Sequence, residues 1–229
     1  MFFPWIGLFE QIKLADIYVH LDDAQFPQGR SFMNRVQIKS PHDIQWLTVP
    51  VKRKGIQPIN EVIMEYDHIW RDKHLKTLKT NYSRAPYFQE MFELINSIYN
   101  EPIELLSELN ILAIEKISKY FGLNTKFVRS SELGITTKSS ERLLQIIEEF
   151  DGDMYITGHG ARNYINHELF ENHNVKIEYM DYKRTAYPQL FGAFNPHVSI
   201  LDLLSNTGKD GVIYIDSGTK NWKEFIKNE

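Results

Sequence analysis

The sequence predicts an α/β protein, a parallel-rich mixed sheet flanked by helices, with a small antiparallel hairpin and a helical insert. Three observations predict it. Strand and helix patterns alternate from Lys126 to Met180; residues 34–51 alternate polar and apolar as half-buried strands do; and residues 67–121 keep a helical period throughout. Strand–helix–strand alternation implies right-handed crossovers and parallel pairing, with ligands held outside the carboxyl ends of the strands. At 229 residues the chain reads as one domain, 1–229, with 67–121 as an insert or subdomain within it.

The elements follow in order. Pro4 suits a first helical turn, and Ile6, Leu8, Phe9, Ile12 and Ala15 keep helical spacing into a strand at Ile17–Leu21. A helix feeding a strand in such a sheet calls for a strand before it, and none stands ahead of this helix in the sequence. A polar loop leads to strands at Asn34–Ile38 and Gln45–Val51, separated by the turn Pro41-His42-Asp43, and Asn60–Tyr66 adds a short strand. Helices are expected from Ile69 to Ser83–Pro86, from Tyr87 to Tyr99, and from Pro102 to a C-terminal glycine at Gly122. Then come strand Lys126–Val128, helix Arg142–Phe150, strand Met154–Thr157, helix Ala161–Asn172 and strand Val175–Met180. Ser199–Gly208 is a helix whose Asn206-Thr207-Gly208 end reads as a C-cap. The tail, Asn221–Glu229, reads as polar and peripheral.

Composition narrows the function. Apolar residues at 42% and charged residues at 24% are ordinary globular usage, and a net charge of -4 offers no field for nucleic acid or an anionic membrane. The absence of cysteine excludes disulfides, a thiol nucleophile and thiolate metal sites. No apolar run reaches the roughly 18 residues that span a bilayer, and Met1–Trp5 lacks the basic start of a signal peptide, so a cytoplasmic protein is expected. His68, His74, His167 and His173 lack metal-ligand spacing, so no metal is expected, and no cofactor is identified. There is no Gly-x-Ser-x-Gly elbow, Walker loop or Rossmann fingerprint, which removes serine hydrolase, P-loop ATPase and NAD-dependent dehydrogenase readings.

Candidate site residues cluster at strand and helix ends. Trp5 and Gly7 open a helix whose first N–H groups suit an anion, with Trp5 stacking on a base or sugar or else packing the helix start. Asp22 and Asp23 follow a strand directly; one of them would hold a sugar hydroxyl, an amine or Mg²⁺, with Gln25 as neutral partner, or close the loop as an Asx turn. Asn34 and Arg35 resemble a recognition pair, Arg35 binding phosphate or pairing with Asp22 or Asp23. Lys138 and Ser139 lie at a helix start that would cradle phosphate; alternatively Ser139 or Ser140 is simply the N-cap, with Glu141 complementing the dipole. Trp46 and Pro50 read as core and edge devices. Gly158, His159 and Gly160 form the strongest local signal, a strand running into a tight turn with Tyr164 behind it; His159 is placed to act as a base near neutrality, or is merely exposed in the turn. Tyr187, Gln189 and Asn206 line the same pocket.

Two blocks of the chain, in order, resemble the WbqC-like family. One runs from Phe3-Pro4-Trp5-Ile6-Gly7 through Asp22-Asp23-Ala24-Gln25-Phe26 and Asn34-Arg35-Val36-Gln37-Ile38 to Trp46-Leu47-Thr48-Val49-Pro50. The other holds Tyr155–Ala161, Tyr164 and Ser199–Gly208. The resemblance implies a role in bacterial surface polysaccharide synthesis, O-antigen or capsule. There an enzyme would act on a nucleotide-linked amino sugar by acyl or aminoacyl transfer, with an acyl donor as second partner. The alternative is a noncatalytic protein that holds a nucleotide sugar or a partner enzyme.

Overall fold

The computed structural model describes residues 1–65 and 69–227, so the expectations that touch Tyr66, residue 67, His68 and the last two residues of the tail lie outside them. The chain is a mixed α/β structure whose strands form several small sheets. Helix α1 (Ile6–Leu14) feeds β1 (Ile17–His20). Strands β2 (Arg35–Lys39) and β3 (Ile44–Thr48) pair antiparallel as expected, with Val36 opposite Leu47. Strands β4 (Val51–Lys52) and β5 (Ile63–Met64) make a second short antiparallel pair. Helices α2 (Ile69–Tyr82), α3 (Phe88–Tyr99) and α4 (Leu106–Tyr120) fill the insert region. The last starts four residues later than Pro102 suggests, because residues up to Leu105 stay extended and bridge Ile63. Gly122 follows α4 at φ +70, the left-handed backbone that favours glycine.

The alternating half behaves differently from its pattern. It comprises β6 (Lys126–Arg129), α5 (Ser139–Glu149), β7 (Met154–Thr157), α6 (His167–Asn172) and β8 (Lys176–Asp181). The strands do not share one ladder: β6 pairs parallel with β1, and β7 pairs parallel with β8. Helix α5 fixes their relative direction. Arg142 in its first turn reaches Asp23, beyond the carboxyl end of β1, at 2.6 Å. Phe150 at its far end lies under Lys126, at the amino end of β6. So α5 runs back along β6, and β7 starts at the same end as β6 and runs the same way.

Helix α7 (Ile200–Thr207) ends at Gly208, φ +57, as its sequence predicts, and continues into a tight helical run to Tyr214. The tail is not peripheral. Strand β9 (Gly218–Asn221) pairs antiparallel with β8, and α8 (Trp222–Lys227) sets Phe225 flat on Tyr179, ring centroids 4.3 Å apart. Phe225 alone is buried and anchors the helix, while Trp222 is half-buried and Ile226 exposed.

Two separate cores result. One joins α1, the β2–β3 hairpin, α2–α4 and α7 around Phe9, Ile38, Leu78, Ile98, Leu109 and Leu201. The other joins α5, α6, α8 and β7–β8 around Leu143, Phe170, Ile177, Tyr179 and Phe225. The expected insert α2–α4 thus shares its core with α1 and α7.

Asp202 of α7 is buried in the first core. Its Oδ2 accepts from the Tyr82 hydroxyl at 2.9 Å, and Tyr82 in turn accepts from the Lys39 backbone N–H. Burial pushes its carboxyl up to about 6, against Tyr82, Tyr187 and Lys39, which favour the charged form. A folded value above the ordinary 3.8 means that the native state holds a proton the unfolded chain releases first. Stability is therefore full below about pH 4 and falls as pH rises through about 6, by about 3 kcal/mol for this group. Urea unfolding of Asp202→Asn against wild type from pH 4 to 7 should show that fall reduced in the variant.

Candidate functional site

The start of α1 is held from three sides. Pro4 O accepts the Ile200 N–H at 2.8 Å, the Ser199 hydroxyl donates to Phe3 O at 2.7 Å, and the Ser199 N–H donates to Gln37 O on β2 at 2.8 Å. Pro4 lies just ahead of the helix rather than in its first turn; Trp5 takes the N-cap position, its carbonyl accepts the Leu8 N–H, and no side chain caps the helix. Gly7 allows the Trp5 indole to lie across the first turn, since a Cβ there would collide with the ring.

From Trp5 a chain of rings runs towards the second core. Trp5 lies 4.8 Å from Tyr182 and 5.8 Å from His197; Tyr182 lies 5.1 Å from His159, and His159 4.8 Å from Phe225. Gly158 extends this corner, its Cα facing the Tyr182 hydroxyl. His159 Nε2 lies 2.6 Å from Met180 O. A carbonyl only accepts, so Nε2 carries the proton and Nδ1 keeps the lone pair. Glu10, one turn beyond Gly7, is buried with Oε1 unpartnered; burial raises its carboxyl, the Ser217 hydrogen bond opposes this and Asp216 adds to it. Burial, with Glu10 nearby, pushes Tyr182 up to about 12.

Beside Trp5 opens a cavity of about 390 Å³, within the size range of small-ligand sites. His197 and Trp5 line it together with Phe32, Val36 and Gln37. Phe32 leads to Trp46, and the Arg35 guanidinium stacks 3.4 Å over the Trp46 ring. Trp46 is therefore an exposed platform rather than a core residue.

The remaining candidates fall into other groups. Arg35 does not pair with the acidic loop; Arg142 does. Asp23 accepts from Arg142 at 2.6 Å and from the Ser130 hydroxyl at 2.5 Å, and although burial raises its carboxyl, these two partners hold it below the usual range. Asp22 accepts from the Ser131 N–H at 3.0 Å and the Ser131 hydroxyl at 2.7 Å, capping the short turn Ser130–Glu132. Both carboxylates thus tie β1 to β6 and α5. Asn34 is buried, its amide donating to Val49 O at 2.9 Å, while Gln25 is exposed and bridges to Pro58.

Tyr187, Gln189 and Asn206 gather around Asp202 rather than Trp5. Tyr187 bonds the Asp202 carboxylate, Asn206 donates to the Asp202 carbonyl, and Gln189 holds Lys39 and Asn195. At α5 the N-cap is Lys138 and no side chain caps it, so neither serine has the capping role. Ser139 adopts φ +53, and the Ser140 hydroxyl accepts the Asn166 N–H and turns towards Tyr164 O. Tyr164 is exposed, and Gly160 faces open space.

Sequence reasoning missed Tyr182 and Glu10. The strand-end rule that finds Gly158 after β7 also finds Tyr182 after β8. Glu10 lay inside an amphipathic helix pattern with no signal of its own.

Fold and site define a mixed α/β protein with an aromatic cleft at an uncapped helix start and a tautomer-fixed histidine one ring away. The chain belongs to the WbqC-like protein family, whose model matches residues 1–214. It is 34% identical over 218 residues to the uncharacterized protein Rv1507c of Mycobacterium tuberculosis, covering 93% of this chain and 94% of that protein. No solved structure matches it. No helix among the described residues is long and apolar enough to cross a membrane.

Gly7→Ala should push the Trp5 indole off the first turn, changing the near-ultraviolet dichroism and costing about 1 kcal/mol of the Trp5–Tyr182 contact. Asp22→Ala, which strands the Ser131 N–H and hydroxyl, should cost about 2–3 kcal/mol in chemical unfolding, with Asp22→Asn recovering part of it.

Proposed function

We propose that this chain is a cytoplasmic enzyme of bacterial surface polysaccharide synthesis that acts on a nucleotide-linked amino sugar and transfers an acyl or aminoacyl group to it. The observation that carries the reading is the cavity at the start of α1, lined by Trp5, His197 and Phe32, with Trp46, and Arg35 stacked on it, outside the lining and beside Phe32. Aromatic faces suit a sugar ring and a base, the Arg35 fork suits a phosphate, and the uncapped N–H groups of α1 favour negative charge. Lys138 and Ser139 stand at a second uncapped helix start.

His159 is the base of this reading. Its Nδ1 takes a proton from the sugar amine as the amine nitrogen attacks the donor carbonyl; the new N–C bond forms as the bond to the leaving group breaks, and the proton returns to that group. Membership of the WbqC-like family supports the pathway assignment. A noncatalytic sugar-binding role is the second reading, favoured by the engagement of Asp22 and Asp23 in structural bonds, which leaves His159 without a carboxylate partner.

Thermal-shift titration with nucleotide-linked amino sugars, with and without acyl-CoA, tests both. Stabilisation by the sugar that is lost in Trp5→Ala, together with turnover that falls at least 100-fold in His159→Ala, is the expected result. Binding without turnover selects the second reading, and no response to any nucleotide sugar removes both.

A further inference from the structure

The net charge of -4 conceals a segregation of sign. Between Gln28 and Ile56 the chain places Arg30, Arg35, Lys39, Lys52, Arg53 and Lys54 but only one carboxylate, Asp43. Lys39 is buried and bonded to Gln189, and Lys52 lines a cavity with Glu65 and Glu104. The other four cations are brought together by two loops and a stack. The Arg53 guanidinium donates to Gly29 O at 2.6 Å and the Gln28 amide to Gly55 O at 3.3 Å, which locks the loop holding Arg30 against the loop holding Lys54. Phe32 follows Arg30 by two residues and lies 5.8 Å from Trp46, whose ring carries Arg35.

Among the described residues no carboxylate pairs with Arg30, Arg35, Arg53 or Lys54. Asp43 stands at the hairpin turn, the opposite end of β2 and β3 from Arg35. Apolar side chains stand among the cations: Ile56 is 79% exposed, Phe32 49% and Trp46 37%. Single exposed apolar residues are ordinary, but three of them set between unpaired cations make a surface suited to the interface of an anionic bilayer. Aliphatic and aromatic tips enter the boundary between headgroups and acyl chains, while guanidinium and ammonium groups meet the phosphates. A nucleic acid offers an aliphatic tip such as Ile56 no apolar layer to enter. A second copy docked on the same face would set the four cations against their counterparts.

We propose that this face docks the protein on an anionic lipid bilayer, with Ile56, Phe32 and Trp46 at the headgroup boundary and Arg30, Arg53, Lys54 and the stacked Arg35 against lipid phosphates. Each cation near such a surface strengthens partitioning about fivefold. The attraction acts within a Debye length of about 8 Å at physiological salt, so the acidic remainder of the chain, beyond that reach, does not cancel it. Because Phe32 also lines the cavity beside Trp5, docking brings that cavity to the headgroup layer. The inference is independent of the reaction proposed above.

Cosedimentation of the full chain with vesicles tests it. Vesicles of phosphatidylcholine with about 30% phosphatidylglycerol should bind the protein, pure phosphatidylcholine vesicles should not, and about 0.5 M salt should release it. The double variant Arg30→Glu with Lys54→Glu should weaken binding at least about 25-fold. Neither side chain makes a hydrogen bond among the described residues, so the variant should keep the wild-type unfolding midpoint. Ile56→Ser keeps every charge and should weaken binding about fivefold. Equal binding to neutral and anionic vesicles, no binding to either, or an affinity unchanged in either variant overturns the proposal. So does binding of an oligonucleotide, or self-association, that the double variant abolishes while anionic vesicles are left unbound.

Discussion

Two apolar cores meet in this chain without merging, and the junction that sets one against the other is the contact of Asp22 and Asp23 with Ser130, Ser131 and Arg142. The Asp23–Arg142 pair is charge-assisted and mostly shielded, and Asp22 satisfies a backbone N–H together with a hydroxyl. Its position matters more than its strength. By anchoring the first turn of α5 beyond the carboxyl end of β1, it sends α5 back along β6 and decides where β7 begins. The direction of β7 in turn decides where Gly158 and His159 emerge. Apolar packing within each core is larger in energy, but it carries no information about how the cores face each other.

The aromatic cleft depends on that alignment. Trp5 belongs to the first core's helix, whereas Tyr182 and His159 come from strand ends of the second. Their rings touch only because both sets of strands run the same way. Gly7 and the uncapped start of α1 belong to the same arrangement, since a larger residue at position 7 would evict the indole.

Strand and helix spans were legible because period and turn chemistry are local. Partners were not. β6 follows the helical region and could pair with any exposed edge; its choice of β1 depends on the Asp22–Ser131 bonds and on Phe127 packing against Tyr18 and His20. Asp22 and Asp23 do follow the end of β1, and Gly158 and His159 the end of β7, as the strand pattern expects. A single sequence does not reveal that a second strand end would supply hydroxyls to consume the two carboxylates. Ser139 and Ser140 had the composition of caps, but the positive φ at Ser139 and the pull of the Asn166 N–H on Ser140 redirected both. The tail was misread because Trp222 and Phe225 are diluted by charged neighbours, although they are three residues apart on one helix face.

The hydrogen bond from His159 Nε2 to the Met180 carbonyl has a consequence for proton traffic. An imidazole with both nitrogens open can take a proton on one side and release it on the other, acting as a relay. Here one side is plugged by backbone. With Nε2 so held, Nδ1 is the nitrogen left to exchange a proton, and a proton gained there returns to the same side, as the proposed transfer would require. Transport of protons through the ring to bulk water would first require β8 to let go.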